Sequence, residues 1–369
     1  MFYTTIINNK KINKINYADI DLANAQNYNY TNTQLTLELE PKVPNSNQRT
    51  HLRFVSRCIQ TCYDKLEPYF GTHNNEYIEF HIPKRSGGLR KINAPNPEFA
   101  KALKEVQQIF INDINCLPHT AAYAYVKNRS IKDANLQHQK NNSKWFLHLD
   151  LDNFFPNCTD TLIYDTLINL YPFFYLQPAA KTQLKAIIKT CCLNGALPQG
   201  SPMSPLLSNL VMVPIDYKIH RTLTHCPELK NHFIYTRYAD DFTISAKNSF
   251  NWSKLIELIT PLIQPFSFKP TKTHYGSRAG SNWNLGLMLN KDNNITVGFK
   301  KKKTLNAMLN NFLLDFSSDI LWSVEDTQVL QGNLSFLNQI EPEYFNYIVN
   351  KYNNKYNTDY KQAIKTILS

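Results

Sequence analysis

The chain has 369 residues, 43% of them hydrophobic, with 21 Tyr and 21 Phe, which excludes a disordered polymer and allows two or three domains with sizeable cores. Its 40 Lys and Arg against 29 Asp and Glu leave a formal net charge of +11, a surplus that suits a polyanionic partner, nucleic acid before membrane. No run approaches ~18 consecutive apolar residues, so no transmembrane helix is expected.

The first residues, "MFYTTIINNKKINK", lack a charged-then-apolar leader pattern. The 7 cysteines are scattered. Cys58 and Cys62 lie four apart with no second Cys/His pair at zinc spacing. All are expected to be reduced thiols of a cytoplasmic protein.

Residues 1–48 are a polar, Asn-rich N-terminal extension to which no chemistry is assigned. From residue 49 to about 70, Phe54, Cys58, Cys62 and Leu66 recur at helical spacing. "YIEFHIPKRSGGLRKINAP" then alternates with period two, placing Ile78, Phe80 and Ile82 on one face of a hairpin closed at Ser86-Gly87-Gly88. A helix follows, with Phe99, Leu103, Val106 and Phe110 on one side.

"SKWFLHLDLDNFF" reads as a core strand, and Thr159 or Asp160 caps the helix after it. A further helix lies in "AKTQLKAIIKTCCL", and one more runs through "LLSNLVMVPIDYKIHRTL" beyond the Pro-punctuated loop "LPQGSPMSP". Then comes the hairpin "FIYTRYADDFTISAK", a helix near 253–265 and strands around "NWNLGLMLN" and "NITVGF". From the lysine run at 300–303 the chain reads as helical to its end. Strands and helices mix without strict βαβ alternation, so the expected class is α+β.

Two adjacent aspartates in a strand hairpin need a cation or a shared proton, because neighbouring buried carboxylates repel. A tight turn between strand formers holds Asp240 and Asp241 on rigid backbone. Asp150 and Asp152, at the end of a hydrophobic strand, alternate onto one face while Leu149 and Leu151 take the other. Hard oxygen ligands without His or Cys point to Mg²⁺ rather than zinc. Two such ions clamping an in-line displacement are the chemistry of polymerases and nucleases.

These residues also carry a resemblance. "YTRYADDFTIS" resembles the catalytic motif of bacterial reverse transcriptases of the retron and group II intron type. "HLDLDNFFPN", "LPQGSPMSPLLSNL", "IPKRSGGLRKI", "KPTKTHYGS" and "NWNLGLMLN" resemble the family's other motifs and keep its order across about residues 78 to 300. The resemblance implies a right-hand polymerase, with fingers and an antiparallel palm sheet over 49–300 and an all-helical thumb over 301–369.

It further implies an RNA-directed DNA polymerase making cDNA from dNTPs. Asp150, Asp240 and Asp241, with the Leu151 carbonyl, would hold two Mg²⁺ ions. Lys84 and Arg90 would neutralise the triphosphate, and Gln199 and Gly200 would line the nucleotide pocket. Phe155 stands at the family's ribose gate, where its bulk would clash with a 2′-hydroxyl; one of Phe154 and Phe155 is expected in the core, because neighbours on a strand face opposite ways. Lys272 and Lys300, Lys301, Lys302 and Lys303 are expected to contact phosphates at the base of the thumb.

A maturase region such as intron enzymes carry is not expected beyond the thumb. The retron Val-Thr-Gly reads here Asn284-Leu285-Gly286, and His138 follows Ala134 by four residues instead of three. The resemblance therefore leans to stand-alone, defence-associated enzymes. Their partners would be a structured non-coding RNA template, the DNA product and an accessory defence protein or second copy. Template-independent or protein-primed synthesis, and a non-catalytic RNA-binding scaffold, are the alternative readings.

Overall fold

The computed structural model describes residues 2–7, 10–16, 46–83, 87–226, 229, 231–278 and 284–369. Within the N-terminal extension, β1 (Phe2–Ile7) and β2 (Lys10–Asn16) form an antiparallel hairpin, which the polar composition did not suggest. α1 spans Ser46–Leu66. Its buried stripe is Val55, Cys58, Ile59, Cys62 and Leu66, while Phe54 is 45% exposed. Phe54 sits one position off that stripe, so helical periodicity turns it outward.

β3 (Tyr77–Pro83) pairs with β4 (Leu89–Pro95) from Tyr77↔Pro95 to Pro83↔Leu89. Ile78, Phe80 and Ile82 do share a face, but that face is exposed: the hairpin is a two-stranded sheet of its own. Lys84 lies outside the described residues, as does Ser86 of the expected turn. α2 (Pro97–Gln108) starts where the Asn96 side chain accepts the Phe99 N–H. Phe99, Leu103, Val106 and Phe110 are all fully buried, each worth about 1.5–3 kcal/mol relative to exposure.

The centre of the molecule is an antiparallel sheet. Between α3 (Ile131–Lys140) and the one-turn α4 (Phe154–Asn157) runs β5 (Trp145–Asp150). α5 (Asp160–Leu167), capped by Thr159, and α6 (Pro178–Cys191) follow. The expected single helix after residue 202 is two, α7 (Met203–Val211) and α8 (Val213–His225). Pro214, which has no N–H to continue the helical ladder, accounts for the break.

β6 (Phe233–Tyr238) and β7 (Asp241–Ala246) form the hairpin around residues 239–240, and α9 (Trp252–Ile259) leads to β8 (His274–Ser277). The sheet order is β6-β7-β5-β8, with every neighbouring pair antiparallel. The mixed helix and antiparallel strand content agrees with the α+β expectation.

After the short pair β9 (Met288–Leu289) and β10 (Ile295–Thr296) the chain is helical: α10 (Phe299–Ser317), α11 (Val324–Ile340), α12 (Pro342–Tyr356) and α13 (Tyr360–Leu368). These helices close a second core around Leu309, Phe312, Leu330, Leu337 and Ile348, which Phe146 of β5 joins to the sheet. Lys132 of α3 adds a polar tie to the Gln339 carbonyl at 2.7 Å. All seven cysteines are unpaired, six of them buried. No described helix is long and apolar enough to cross a membrane.

Candidate active site

Antiparallel pairing brings the carboxylates together. The end of β5 lies beside the start of β7, with Asp150 directly opposite Asp241, so their side chains share a face. Leu149, Leu151 and Phe242 point into the core on the other side, each no more than 1% exposed. Asp240 occupies the β6–β7 turn after Ala239, whose φ is 58°. The Leu151 N–H donates to the Asp240 carbonyl at 3.1 Å, which fastens the turn to the end of β5.

Two lysines answer the clustered charge. Lys272 Nζ donates to Asp150 Oδ2 at 2.6 Å. Lys269 Nζ lies 3.6 Å from Asp150 Oδ1 and 3.2 Å from Asp152 Oδ1, so Asp150 and Asp152 do share a cation. Hydrogen bonding to Asp150 raises the Lys272 pKa. Burial raises the pKa of Asp240. Asp241 keeps an open outer edge, yet partial desolvation, then the charges of Asp240 and Asp150, push its carboxyl up to about 7.

Asp150, Asp241 and Lys272 border a cleft of about 240 Å³ that His148, Thr243 and Asn284 also line. Asp150 Oδ1 and Asn284 Nδ2 are buried there without a hydrogen-bond partner among the described residues. A rigidly held set of hard oxygens with an unsatisfied carboxylate atom fits a hard divalent cation. Among the described residues no three His, Cys, Asp or Glu side chains are grouped as they would be around a metal ion; Lys269 and Lys272 stand on Asp150 instead.

Sequence reading missed the bracket behind the turn. Arg237 and Asp216 are fully buried. Arg237 Nη1 reaches both Asn209 Oδ1 and the Ala239 carbonyl at 3.0 Å. Asp216, on α8, accepts from Arg237 and from the Tyr235 hydroxyl at 2.7 Å. The available signal was Asp216 itself, the sole acidic residue in α7 and α8. His138 was noticed only as a motif departure. It is buried, with Nδ1 2.6 Å from Ser245 Oγ and Nε2 2.8 Å from Thr236 Oγ1, so it ties α3 to β6 and β7.

The remaining candidates separate into three groups. Phe154 is buried and Phe155 half-buried, the expected division, although they lie in the α4 turn after left-handed Asn153 and not on a strand. The Gln199 carbonyl accepts the Asn93 N–H at 2.7 Å. A Cβ on Gly200, whose φ is 126°, would stand 2.7 Å from the Asn93 carbonyl oxygen. The close approach that requires glycine is thus to the β3–β4 hairpin, where substrate was expected. Arg90 is exposed on the same hairpin.

The basic residues do not form one surface. Lys272 joins the carboxylates. Lys301 lies over the Phe336 ring at 4.3 Å and Lys302 over Tyr344 at 4.8 Å, and Lys302 also pairs with Glu341. Lys300 and Lys303 remain exposed.

Residues 82–276 match the reverse transcriptase (RNA-dependent DNA polymerase) family. That span contains Arg90, Asp150, Gln199, Asp240 and Lys272 but not the lysine run. The chain belongs to this family and is an RNA-directed DNA polymerase. It is similar to reverse transcriptases of the retron type. It is 30% identical over 284 residues to the Retron Ec73 reverse transcriptase of Escherichia coli, covering 74% of this chain and 86% of the relative. It is 30% identical over 312 residues to the Retron Ec83 reverse transcriptase of the same organism, covering 80% and 94%. The apo telomerase of Candida Tropicalis superimposes with a TM-score of 0.44 at 14% identity. The match covers 79% of this chain and 61% of the telomerase, less than two thirds of its length.

Proposed function

We propose that the chain copies a structured non-coding RNA into DNA from dNTPs, in the cytoplasm and in the service of antiphage defence. What supports the polymerase chemistry most is the cross-ladder pairing of Asp150 with Asp241 at an open cleft. In this reading residues 49–300 are fingers and palm, and 301–369 are the thumb.

Asp150, Asp240 and Asp241, with the Leu151 carbonyl, would hold two Mg²⁺ ions. Bound there, the ions would activate the attacking hydroxyl and stabilise the leaving pyrophosphate. The chain's own groups do the rest. Arg90 and Lys84 neutralise the triphosphate, where fixed cations act on developing charge. Gln199 and Gly200 wall the nucleotide site, and Phe155 excludes a 2′-hydroxyl by its bulk. Lys300 and Lys303 contact backbone phosphates without reading sequence. The site is carried on backbone held from behind by Arg237, so its geometry is set before substrate arrives.

The test is primer extension by the purified full chain on an RNA template with Mg²⁺ and dNTPs, together with sequencing of the nucleic acid that co-purifies. Extension, and one recurrent RNA with complementary DNA, is the expected result. Failure to extend any primed RNA contradicts the polymerase reading, and a random RNA population contradicts the dedicated template.

A further inference from the structure

Residues 117–130, "LPHTAAYAYVKNRS", are pinned along the open edge of the sheet. Ala122 bridges Arg237 in parallel. The Arg237 N–H donates to the Ala121 carbonyl at 2.7 Å, and the Tyr123 N–H donates to the Arg237 carbonyl at 2.8 Å. Arg129 Nη1 adds bonds to the carbonyls of His119, Thr120 and Ala122 at 3.2, 3.1 and 2.6 Å. Ala122 and Ala124 are fully buried.

On this fixed segment the next residue turns out. Tyr125 is 55% exposed with φ at 59°, a left-handed backbone that is unfavourable for a bulky side chain, by roughly 1–3 kcal/mol. Such strain persists only where the surroundings enforce it, and here they do. The Ala124 carbonyl accepts Asn209 Nδ2 at 2.9 Å, and Asn209 Oδ1 accepts Arg237 Nη1. That same Nη1 donates to the Ala239 carbonyl. One buried bracket therefore holds the residue before Tyr125 and the residue before Asp240.

The charges around the ring agree with this placement. Burial raises the Tyr125 hydroxyl pKa, the charge of Asp240 raises it further, and Arg90 opposes them. The charges of Asp240, Tyr238 and Arg90 thus all act on this hydroxyl. Tyr347 is as exposed, at 62%, but sits on α12 with no such bracket. An aromatic face presented beside a polymerase carboxylate offers a sequence-tolerant stacking surface to a base.

We propose that the Tyr125 ring is a stacking platform for the templating nucleobase beside Asp240. This inference rests on the polymerase reading of that site. It is tested by the affinity of the full chain for a DNA-primed RNA template carrying either a base or an abasic residue at the templating position. For the wild type, the abasic change should weaken binding by about tenfold more than it does for Tyr125→Ala, the size expected of one base–aromatic stack. Tyr125→Phe should behave as wild type. Tyr125→Leu serves the same comparison if the alanine variant fails to fold. An equal abasic effect in wild type and variant overturns the stacking role. Wild-type dNTP incorporation, measured alongside, separates the two: if it is present, only the stacking role falls; if it is absent, the polymerase reading falls.

Discussion

Arg237 grips both carboxylate oxygens of Asp216, with Nε 2.9 Å from Oδ1 and Nη2 2.8 Å from Oδ2, and neither side chain reaches solvent. Burial alone would lower the arginine pKa, but Asp216 more than offsets it. The pair is the anchor from which Nη1 holds the Ala239 carbonyl. Asp216→Asn leaves a buried guanidinium without its counter-charge, and breaking such a pair costs about 3–5 kcal/mol. A lowered urea midpoint, with loss of incorporation in the fraction that still folds, is the expected result. Unchanged urea unfolding would remove the pair from the account.

Gly200, in the loop before α7, packs closely against the β3–β4 hairpin. An added Cβ meets the Asn93 carbonyl at 2.7 Å and Ile92 Cγ2 at 3.0 Å, on a backbone at φ 126°. Gly200→Ala should destabilise by about 1–3 kcal/mol and raise KM for dNTP, because Arg90 rides on the displaced strand. Steady-state kinetics and thermal melting check both halves; a variant kinetically equal to wild type contradicts the linkage.

Phe155→Ala tests sugar selection. Incorporation of rNTPs should rise relative to dNTPs by roughly tenfold or more, as expected when a steric block on one substrate is removed. Single-nucleotide extension with matched dNTP and rNTP gives the ratio, and an unchanged ratio removes Phe155 as the gate.

His138 makes the fold sensitive to acid. Burial, followed by the charge of His148, lowers its pKa to about 3, below the ~6.5 of an unfolded histidine. Between those values the unfolded chain binds a proton that the folded chain does not, so stability is full above about pH 6.5 and declines as pH falls toward 3. Tm measured from pH 8 to 4 should drop, with a shallower slope in His138→Asn. Identical slopes would mean that other groups carry the acid response.

The legible parts of the site were those written in local sequence. Asp150 ends a hydrophobic strand and Asp240-Asp241 interrupts a run of strand formers, so each was visible alone; their meeting depends on the β5–β7 register, which no local pattern states. Lys272 reads, with the lysine run, as a phosphate contact at the base of the thumb, and only the path after α9 carries it to Asp150. Phe154 and Phe155 divided as expected for the wrong reason, since left-handed Asn153 turns the chain into a helix before strand alternation can act. The exposed face of Ile78, Phe80 and Ile82 shows the limit of period-two reasoning, which assigns residues to a common face but does not say whether anything covers it.

Asp240→Ala bears most directly on the claim that the cleft carboxylates perform the chemistry. Measured on a DNA-primed RNA template with Mg²⁺ and dNTPs, incorporation should fall by about a thousandfold or more, as expected when several kcal/mol of transition-state stabilisation are lost. Affinity for the template should stay within about twofold of wild type. Incorporation that remains within about tenfold of wild type, with the template still bound, would contradict the account.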